Sequence, residues 1–110
     1  MDHHWGEIGT GANRARGEWQ ISFVYSTLGR AEPALFHARR CLAYVEAGDG
    51  VEDWDLPFAY EALARAFAVA GDRDESLRYE QLAREAGEGM TGEEDREHFL
   101  EALATLPGRS

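Results

Sequence analysis

The sequence predicts an all-α fold in which two antiparallel helical hairpins pack side by side and a C-terminal capping helix follows them. Two observations predict it. Apolar residues recur at the spacing of amphipathic helices through most of the chain. Two segments 42 residues apart also repeat one pattern of large, small and glycine residues. No segment alternates cleanly between apolar and polar residues over four or more positions, so no strand is expected.

Length and composition favour a single domain that spans residues 1–110. With 44% hydrophobic residues, the chain has enough apolar material for a modest core. Eleven basic residues, all of them arginine, face 21 acidic residues and give a formal net charge of −10. Such a charge repels nucleic-acid phosphates and anionic lipid surfaces, so neither is expected as a partner.

Cysteine content and hydropathy indicate the compartment. Cys41 is the sole cysteine, which excludes an intramolecular disulfide and a cysteine-based zinc cluster. No secretory leader pattern opens the sequence, and no apolar stretch approaches the roughly 20 residues of a membrane span. We therefore expect a cytoplasmic protein, and we predict no cofactor and no metal.

The first hairpin is predicted over residues 17–47, after an irregular segment at residues 1–16. Its first helix covers residues 17–28 and ends at Gly29, which suits a left-handed C-terminal cap. Pro33 fits the first turn of the second helix. The residues expected to face inward are Ile21, Val24, Tyr25 and Leu28, then Leu35, Ala38, Cys41, Leu42 and Val45.

The second hairpin is predicted over residues 56–87, after a polar loop rich in glycine. Asp55 is expected to cap its first helix and Gly71 to end it. Asp72 followed by Glu75 indicates a capping box at the start of its second helix. The residues expected to face inward are Tyr60, Leu63, Ala64 and Phe67, then Leu77, Tyr79, Leu82 and Ala83.

The capping helix is predicted over residues 92–106. Thr91 with Glu94 offers a capping box at its start, and a Pro-Gly pair follows its end. Its apolar positions are Phe99, Leu100, Leu103 and Leu106.

The two repeated segments resemble a known family. The first contains Ile21, Tyr25, Gly29, Ala34, Leu35 and Cys41, and the second contains Leu63, Phe67, Gly71, Ser76, Leu77 and Ala83. This order of residues resembles the tetratricopeptide repeat family over roughly residues 17–87. The period of 42 exceeds the family's 34, so the central loop and the helix ends must hold about eight extra residues.

The resemblance implies a right-handed stack of hairpins that mediates protein–protein interaction as an adaptor or regulatory module. Members of the family bind partners in a concave groove lined by the first helix of each hairpin. The residues at the matching positions are Arg16, Trp19, Phe23, Ser26 and Thr27 from one hairpin, and Phe58, Glu61, Arg65 and Val69 from the other. Of these we take six as the partner-binding or dimer site, namely Arg16, Trp19, Phe23, Phe58, Glu61 and Arg65.

Trp19 and Phe23 lie four residues apart and should stack on the helix face opposite Ile21 and Val24. A helix that is apolar on two sides must be covered twice. The cover could be a ligand, a second subunit, or the N-terminal segment through Trp5 and Ile8. A homodimer has separate support, since helical-repeat arrays usually need about three repeats and this chain holds about two and a half.

The sequence carries no catalytic signature, so an enzyme is not predicted. The rival interpretation is a small-molecule-binding protein or enzyme with a pocket between the hairpins, which Tyr25, His37, Glu61 and Arg65 would line.

Two further features have structural explanations that are more common than functional ones. His3 and His4 could bind a metal, yet a histidine pair near a terminus is more often incidental. Cys41 falls at a small, inward position, where a core residue is expected rather than a nucleophile.

Overall fold

The computed structural model describes residues 10–108, and within them the chain is helical with no strand, as the sequence predicts. The helices of hairpin 1, α1 and α2, pack against each other, and so do those of hairpin 2, α3 and α4. Helix α3 also contacts both helices of hairpin 1, and α5 rests on hairpin 2. The helices are α1 (Gly11–Thr27), α2 (Ala31–Ala47), α3 (Asp55–Ala70), α4 (Arg73–Gly87) and α5 (Glu93–Ala104). Trp5 and Ile8 lie outside the described residues.

The hairpins end their first helices in the same way. Gly29 and Gly71, 42 residues apart, have φ angles of 75° and 83°, a left-handed conformation that glycine adopts without steric cost. The backbone N–H of the residue after each glycine donates to a carbonyl oxygen of the preceding helix. Arg30 donates to Tyr25 at 2.8 Å, and Asp72 donates to Phe67 at 3.0 Å. The predicted helix ends at these glycines are therefore confirmed.

In both hairpins a serine hydroxyl donates to an alanine carbonyl oxygen on the other helix, but the serine lies on the first helix in hairpin 1 and on the second helix in hairpin 2. In hairpin 1 the Ser22 hydroxyl on the first helix donates to the Ala34 carbonyl oxygen on the second, at 2.9 Å. In hairpin 2 the Ser76 hydroxyl on the second helix donates to the Ala64 carbonyl oxygen on the first, at 2.8 Å. Because Ser22 matches Ala64 and Ala34 matches Ser76 at the 42-residue offset, small residues bring the two helices close at the same point in both hairpins.

Aromatic pairs show the same correspondence. The Tyr25 and His37 rings stack at 5.9 Å between centroids, and those of Phe67 and Tyr79, each 42 positions later, stack at 5.7 Å. The 42-residue sequence repeat is thus a repeat of three-dimensional contacts. Membership of the tetratricopeptide repeat family and the right-handed sense of the stack stay predictions.

Helix α1 begins six residues earlier than its predicted start, within the segment predicted to be irregular. The Thr10 side chain caps it by accepting a hydrogen bond from the Asn13 backbone N–H at 3.1 Å. The Ala12 N–H donates to the Asp49 carbonyl oxygen at 2.9 Å. The predicted start was wrong because Gly11 is the first residue of the helix, where a glycine does not interrupt the helical hydrogen bonds.

Helix α1 also turns a different face to the core than its apolar pattern predicts. Ile21, Val24 and Leu28, expected to face inward, are exposed by 42%, 54% and 65%. At the matching positions of hairpin 2, Leu63 and Ala66 are buried, and Leu63 packs against Trp19 and Leu35 of hairpin 1. Within residues 10–108 no hairpin precedes α1 to cover the same positions. The inward residues of α1 are instead Ala12, Ala15, Ser22 and Ser26, with Trp19 half-buried.

Helix α5 closes the other end of the array. Phe99, Leu103 and Leu106 are buried in one cluster with residues of hairpin 2, as predicted. Leu77 on α4 and Leu100 on α5 were predicted to face inward but are 42% and 47% exposed. Both side chains lie outside the buried cluster that α3, α4 and α5 form around Phe99.

Two predicted caps take other roles. Asp55 is the first residue of α3, and its carboxylate accepts the Glu52 backbone N–H at 2.8 Å instead of capping the helix. The Thr91 hydroxyl donates to Asp53 at 2.8 Å, so it ties the central loop to the start of α5 rather than forming a capping box. The Asp72 cap is confirmed, because its carboxylate accepts the Glu75 N–H at 3.2 Å.

Candidate functional site

A groove of about 370 Å³, with Cys41 and Val45 of α2 in its lining and the central loop at one end, lies between the helices α1, α3 and α5. These are the first helix of each hairpin and the helix that follows them. Their polar and aromatic side chains that line the groove are Arg16, Trp19, Gln20, Asp55, Phe58, Asp95 and His98, together with Trp54 from the loop.

Aromatic rings form a row across the three helices. The Phe23 and Trp19 rings of α1 stack at 5.5 Å between centroids. Trp19 meets Phe58 of α3 at 5.9 Å with the rings nearly perpendicular, and Phe58 meets the buried Phe99 of α5 at 5.4 Å. Edge-to-face pairs at such distances are favourable beyond the apolar area that they bury. The row gives the groove a rigid apolar wall.

Arg16 and Asp55 form the polar end of the groove. The Arg16 guanidinium donates two hydrogen bonds to the Asp55 carboxylate, at 3.1 Å and 2.9 Å, and lies 4.3 Å above the Trp54 ring. This paired geometry is the strong form of an arginine–carboxylate contact. The hydrogen bond to Asp55 raises the pKa of Arg16 above its ordinary value. Arg16 thus joins α1 to the start of α3 and holds Trp54 at the rim.

A buried ion pair joins all three helices behind the aromatic row. Glu61, fully buried on α3, accepts the Trp19 indole N–H at 3.1 Å and the Arg65 Nε–H at 2.7 Å. The Arg65 guanidinium also donates to the Ala102 carbonyl oxygen and the Thr105 hydroxyl at the end of α5, both at 2.9 Å. Its charge there complements the helix dipole of α5. The network fixes the relative positions of α1, α3 and α5, and therefore the width of the groove.

The structure brings the six predicted site residues together in one connected set. Arg16, Trp19 and Phe58 line the groove, and Phe23 continues its wall beneath the Arg65 guanidinium, 5.3 Å from the ring centroid. Glu61 and Arg65 are buried and bonded to other helices, so they shape the groove without offering it a free surface. Ser26, another position matched to the groove, is buried as well.

Among the lining residues that the sequence interpretation did not assign to the groove are Trp54, Asp95 and His98. The last two lie on α5, which was assigned only a capping role although it borders the groove together with α1 and α3. Trp54 lies in the loop that holds the extra residues of the period, where the family pattern gives no position to match. Its single sequence signal was an aromatic residue inside an otherwise polar loop.

The loop that carries Trp54 is tied to α5. The Asp53 carboxylate accepts both the backbone N–H and the hydroxyl of Thr91, at 2.9 Å and 2.8 Å. These hydrogen bonds lower the pKa of Asp53. They hold the loop against the N-terminal end of α5, which keeps Trp54 and Asp95 on the same rim.

The residues named for a catalytic or small-molecule pocket do not form one site. Tyr25 stacks on His37 between α1 and α2, whereas Glu61 and Arg65 bond to each other and to α5. Burial raises the pKa of the Cys41 thiol to about 12, with further contributions from Asp55, Glu18 and Glu61, so this thiol stays protonated.

Residues 10–108 contain neither a cluster of metal ligands nor a helix that could span a membrane. No group of three or more histidine, cysteine or acidic residues is placed to hold a metal ion. None of the helices there combines the length and apolar content that crossing a bilayer requires. His3 and His4 lie outside the described residues.

The fold and the groove define an all-α protein of paired helical hairpins with one solvent-open aromatic site. No family model, curated protein or solved structure matches the chain.

Proposed function

We propose that this chain is a helical interaction module whose groove binds a segment of a partner protein, in the cytoplasm, as an adaptor or regulator. The observation that carries the proposal is the groove itself. Half-buried aromatic rings line about 370 Å³ of open space between three helices that a buried ion pair holds in place. Rigid aromatic anchors beside a polar rim are the usual composition of a peptide-binding surface.

Charge indicates the chemistry of the partner. Residues 48–108 contain 16 acidic residues and five arginines, and these residues supply the loop, α3 and α5 around the groove. Arg16 already neutralises Asp55, which leaves Asp95 as a free acidic group on the rim beside His98. We infer a segment that places a large apolar side chain against Trp19 and Phe58 and a lysine or arginine beside Asp95.

Peptide display against the folded chain tests this proposal. The expected result is enrichment of peptides that combine a large apolar residue with a basic one, and that bind with micromolar dissociation constants in calorimetry. An Asp95→Arg variant should weaken the best peptide about tenfold, because a rim attraction becomes a repulsion. Glu101→Arg changes the same charge on an exposed α5 position outside the groove and should alter affinity less than about twofold.

The proposal fails if no peptide is enriched, or if the two charge variants weaken binding equally. The groove volume also falls in the range of small-molecule sites. A thermal-shift screen against metabolites separates that rival, since saturable stabilisation above roughly 2 kcal/mol by one compound would favour it.

A further inference from the structure

The solvent side of α1 is almost free of charge. Among its eight exposed residues only Arg14 is charged, whereas six of the nine exposed residues of α5 are charged. The chain as a whole has 29% charged residues, so α1 departs from the rest of the surface. Depletion of charge on an exposed surface is typical of the centre of a protein interface.

Large apolar side chains occupy this uncharged side. We call Ile21, Val24, Leu28 and Phe36 the outer face; Phe36 is 55% exposed, within the 42–65% span of the other three. Ile21, Val24 and Leu28 follow one another at helical spacing along α1. Phe36 of α2 meets the His37 ring edge-on at 5.0 Å, and His37 in turn stacks on Tyr25, one turn from Ile21. The Arg40 guanidinium lies 5.6 Å from the Phe36 ring centroid and pairs with Glu18 of α1 at 2.9 Å, so Phe36 stands beside this ion pair at the edge of the apolar row on α1.

The repeat shows what this surface is built to meet. Ile21 corresponds to Leu63, which is buried in a cluster with Trp19 and Leu35 of hairpin 1, and Val24 corresponds to Ala66, which is also buried. Ile21 and Val24 thus lie on the packing side of a hairpin, without a neighbouring hairpin among residues 10–108, whereas the positions that match Leu28 and Phe36 are exposed in hairpin 2 as well. Exposed contiguous apolar surface of this kind marks an interaction site.

We propose that the outer face is the interface between two copies of this chain, related by a twofold axis. The opposite side of the array is already closed, because α5 covers hairpin 2 there with Phe99, Leu103 and Leu106. A head-to-tail contact would need that side to be free. Two copies can therefore pair only outer face to outer face, which closes the assembly at two subunits.

The charge distribution favours a second copy in this position. Residues 10–47 contain five arginines and three glutamates, whereas residues 48–108 hold the acidic excess. The net charges of these two parts are +2 and −11, so contact through hairpin 1 brings together the weakly charged parts of the two copies rather than the strongly acidic ones. The molecule is 49 Å long, so the acidic halves point away from each other, separated by more than the Debye length of about 8 Å at physiological salt.

The size of the surface requires both helices. Helices α1 and α2 have 17 residues each, hence a length of about 25 Å, and their axes lie about 8–10 Å apart. A stable dimer buries about 800 Å² per subunit. One helix alone presents too little surface, so Phe36 of α2 must take part together with Val24 of α1.

Sedimentation equilibrium of the full chain tests the proposal. The wild type should have twice the chain mass of 12.3 kDa at micromolar concentration. Val24→Glu should raise the dissociation constant at least about 100-fold, because the twofold axis buries the new carboxylate twice. Phe36→Glu should act in the same way. Leu77→Glu, an equal change at an exposed leucine on α4, should leave the dimer intact. Circular dichroism would show whether each variant keeps its helices.

A wild type that stays monomeric up to roughly 200 µM overturns the proposal. So does a dimer that Val24→Glu leaves intact, or one that Leu77→Glu disrupts equally. If deletion of residues 1–9 converts a monomeric wild type into a dimer, the chain covers the outer face with its own segment, and the proposal is wrong for the intact protein.

Discussion

Replacing Gly87 with alanine should destabilise the fold although alanine is the better helix former. A Cβ atom at this position would lie 2.6 Å from Cε2 and 3.2 Å from Cδ2 of Phe99, far inside van der Waals contact. The Phe99 ring is 1% exposed and meets Phe58 edge-on at 5.4 Å, so it has no room to retreat. Overpacking of this kind costs about 1–3 kcal/mol.

The helix propensity of alanine would offset at most about 1 kcal/mol of that cost, and less at the last residue of α4. We expect a net loss of about 1–2 kcal/mol in the free energy of unfolding. Urea unfolding followed by circular dichroism measures it. Gly17→Ala is the control, because no atom lies within 4 Å of a Cβ there and the residue is inside α1. That variant should gain about 0.5–1 kcal/mol.

A Gly87→Ala variant that is as stable as the wild type would refute the close approach of α4 and α5. Because Phe99 supports Phe58, the same variant should also weaken peptide binding, whereas Gly17→Ala should not change it. Loss of stability without any change in binding would show that the groove wall does not depend on Phe99.

Three other predictions concern buried or hydrogen-bonded side chains. Glu61→Ala leaves the Arg65 charge buried without its carboxylate and should cost about 3–5 kcal/mol in urea unfolding; a loss below about 1 kcal/mol would contradict the ion-pair network. The Cys41 thiol, whose pKa is about 12, should resist thiol reagents in the native protein at pH 8 and react fully in denaturant, so rapid native reaction would show that the site opens. Since the pKa of Asp53 is lowered in the folded state, the stability that it contributes is present above its unfolded pKa of about 3.9 and is lost as the pH falls through the folded value. Asp53→Asn should remove that acid-side slope from urea midpoints measured between about pH 5 and pH 2, and an unchanged slope would assign it to other groups.

Much of the fold could be predicted from the sequence because its signals are local. The glycine turns at Gly29 and Gly71 need only the left-handed preference of that residue. The buried stripe of α2 at Ala38, Cys41 and Val45 follows directly from helical spacing. Each of these features is decided by neighbours within a turn or two of the chain.

The inward face of α1 could not be predicted in the same way. Spacing placed Ile21 and Val24 in the core, but burial at these positions depends on whether a neighbouring hairpin covers them. The helix instead buries Ser22, because a hydroxyl bonded to the Ala34 carbonyl allows a closer approach than a large side chain. Hydropathy alone identified two apolar sides of α1 and could not say which of them the fold uses.

The sequence predicted those site residues that lie at positions of the repeat pattern. It did not predict the lining residues outside that pattern. Trp19 and Phe58 occupy matched positions, so the resemblance found them. Glu61 was assigned to the groove surface because its position matches one that lines the groove. In the structure its carboxylate is buried, where it accepts hydrogen bonds from the indole N–H of Trp19 and the guanidinium of Arg65. Arg65 lies one turn away on the same helix, but the Trp19 contact joins residues 42 apart in sequence, which helical spacing does not reveal.

If the groove between α1, α3 and α5 is where a partner docks, a bound peptide must change the surroundings of its aromatic residues. Chemical-shift mapping with an enriched peptide tests it most directly, because the Trp19 indole N–H is a resolved reporter bonded to Glu61. We expect the indole signals of Trp19 and Trp54 to move together with those of His98 on titration, while the methyl signals of Leu77 stay in place. Shifts confined to residues outside the groove would contradict it.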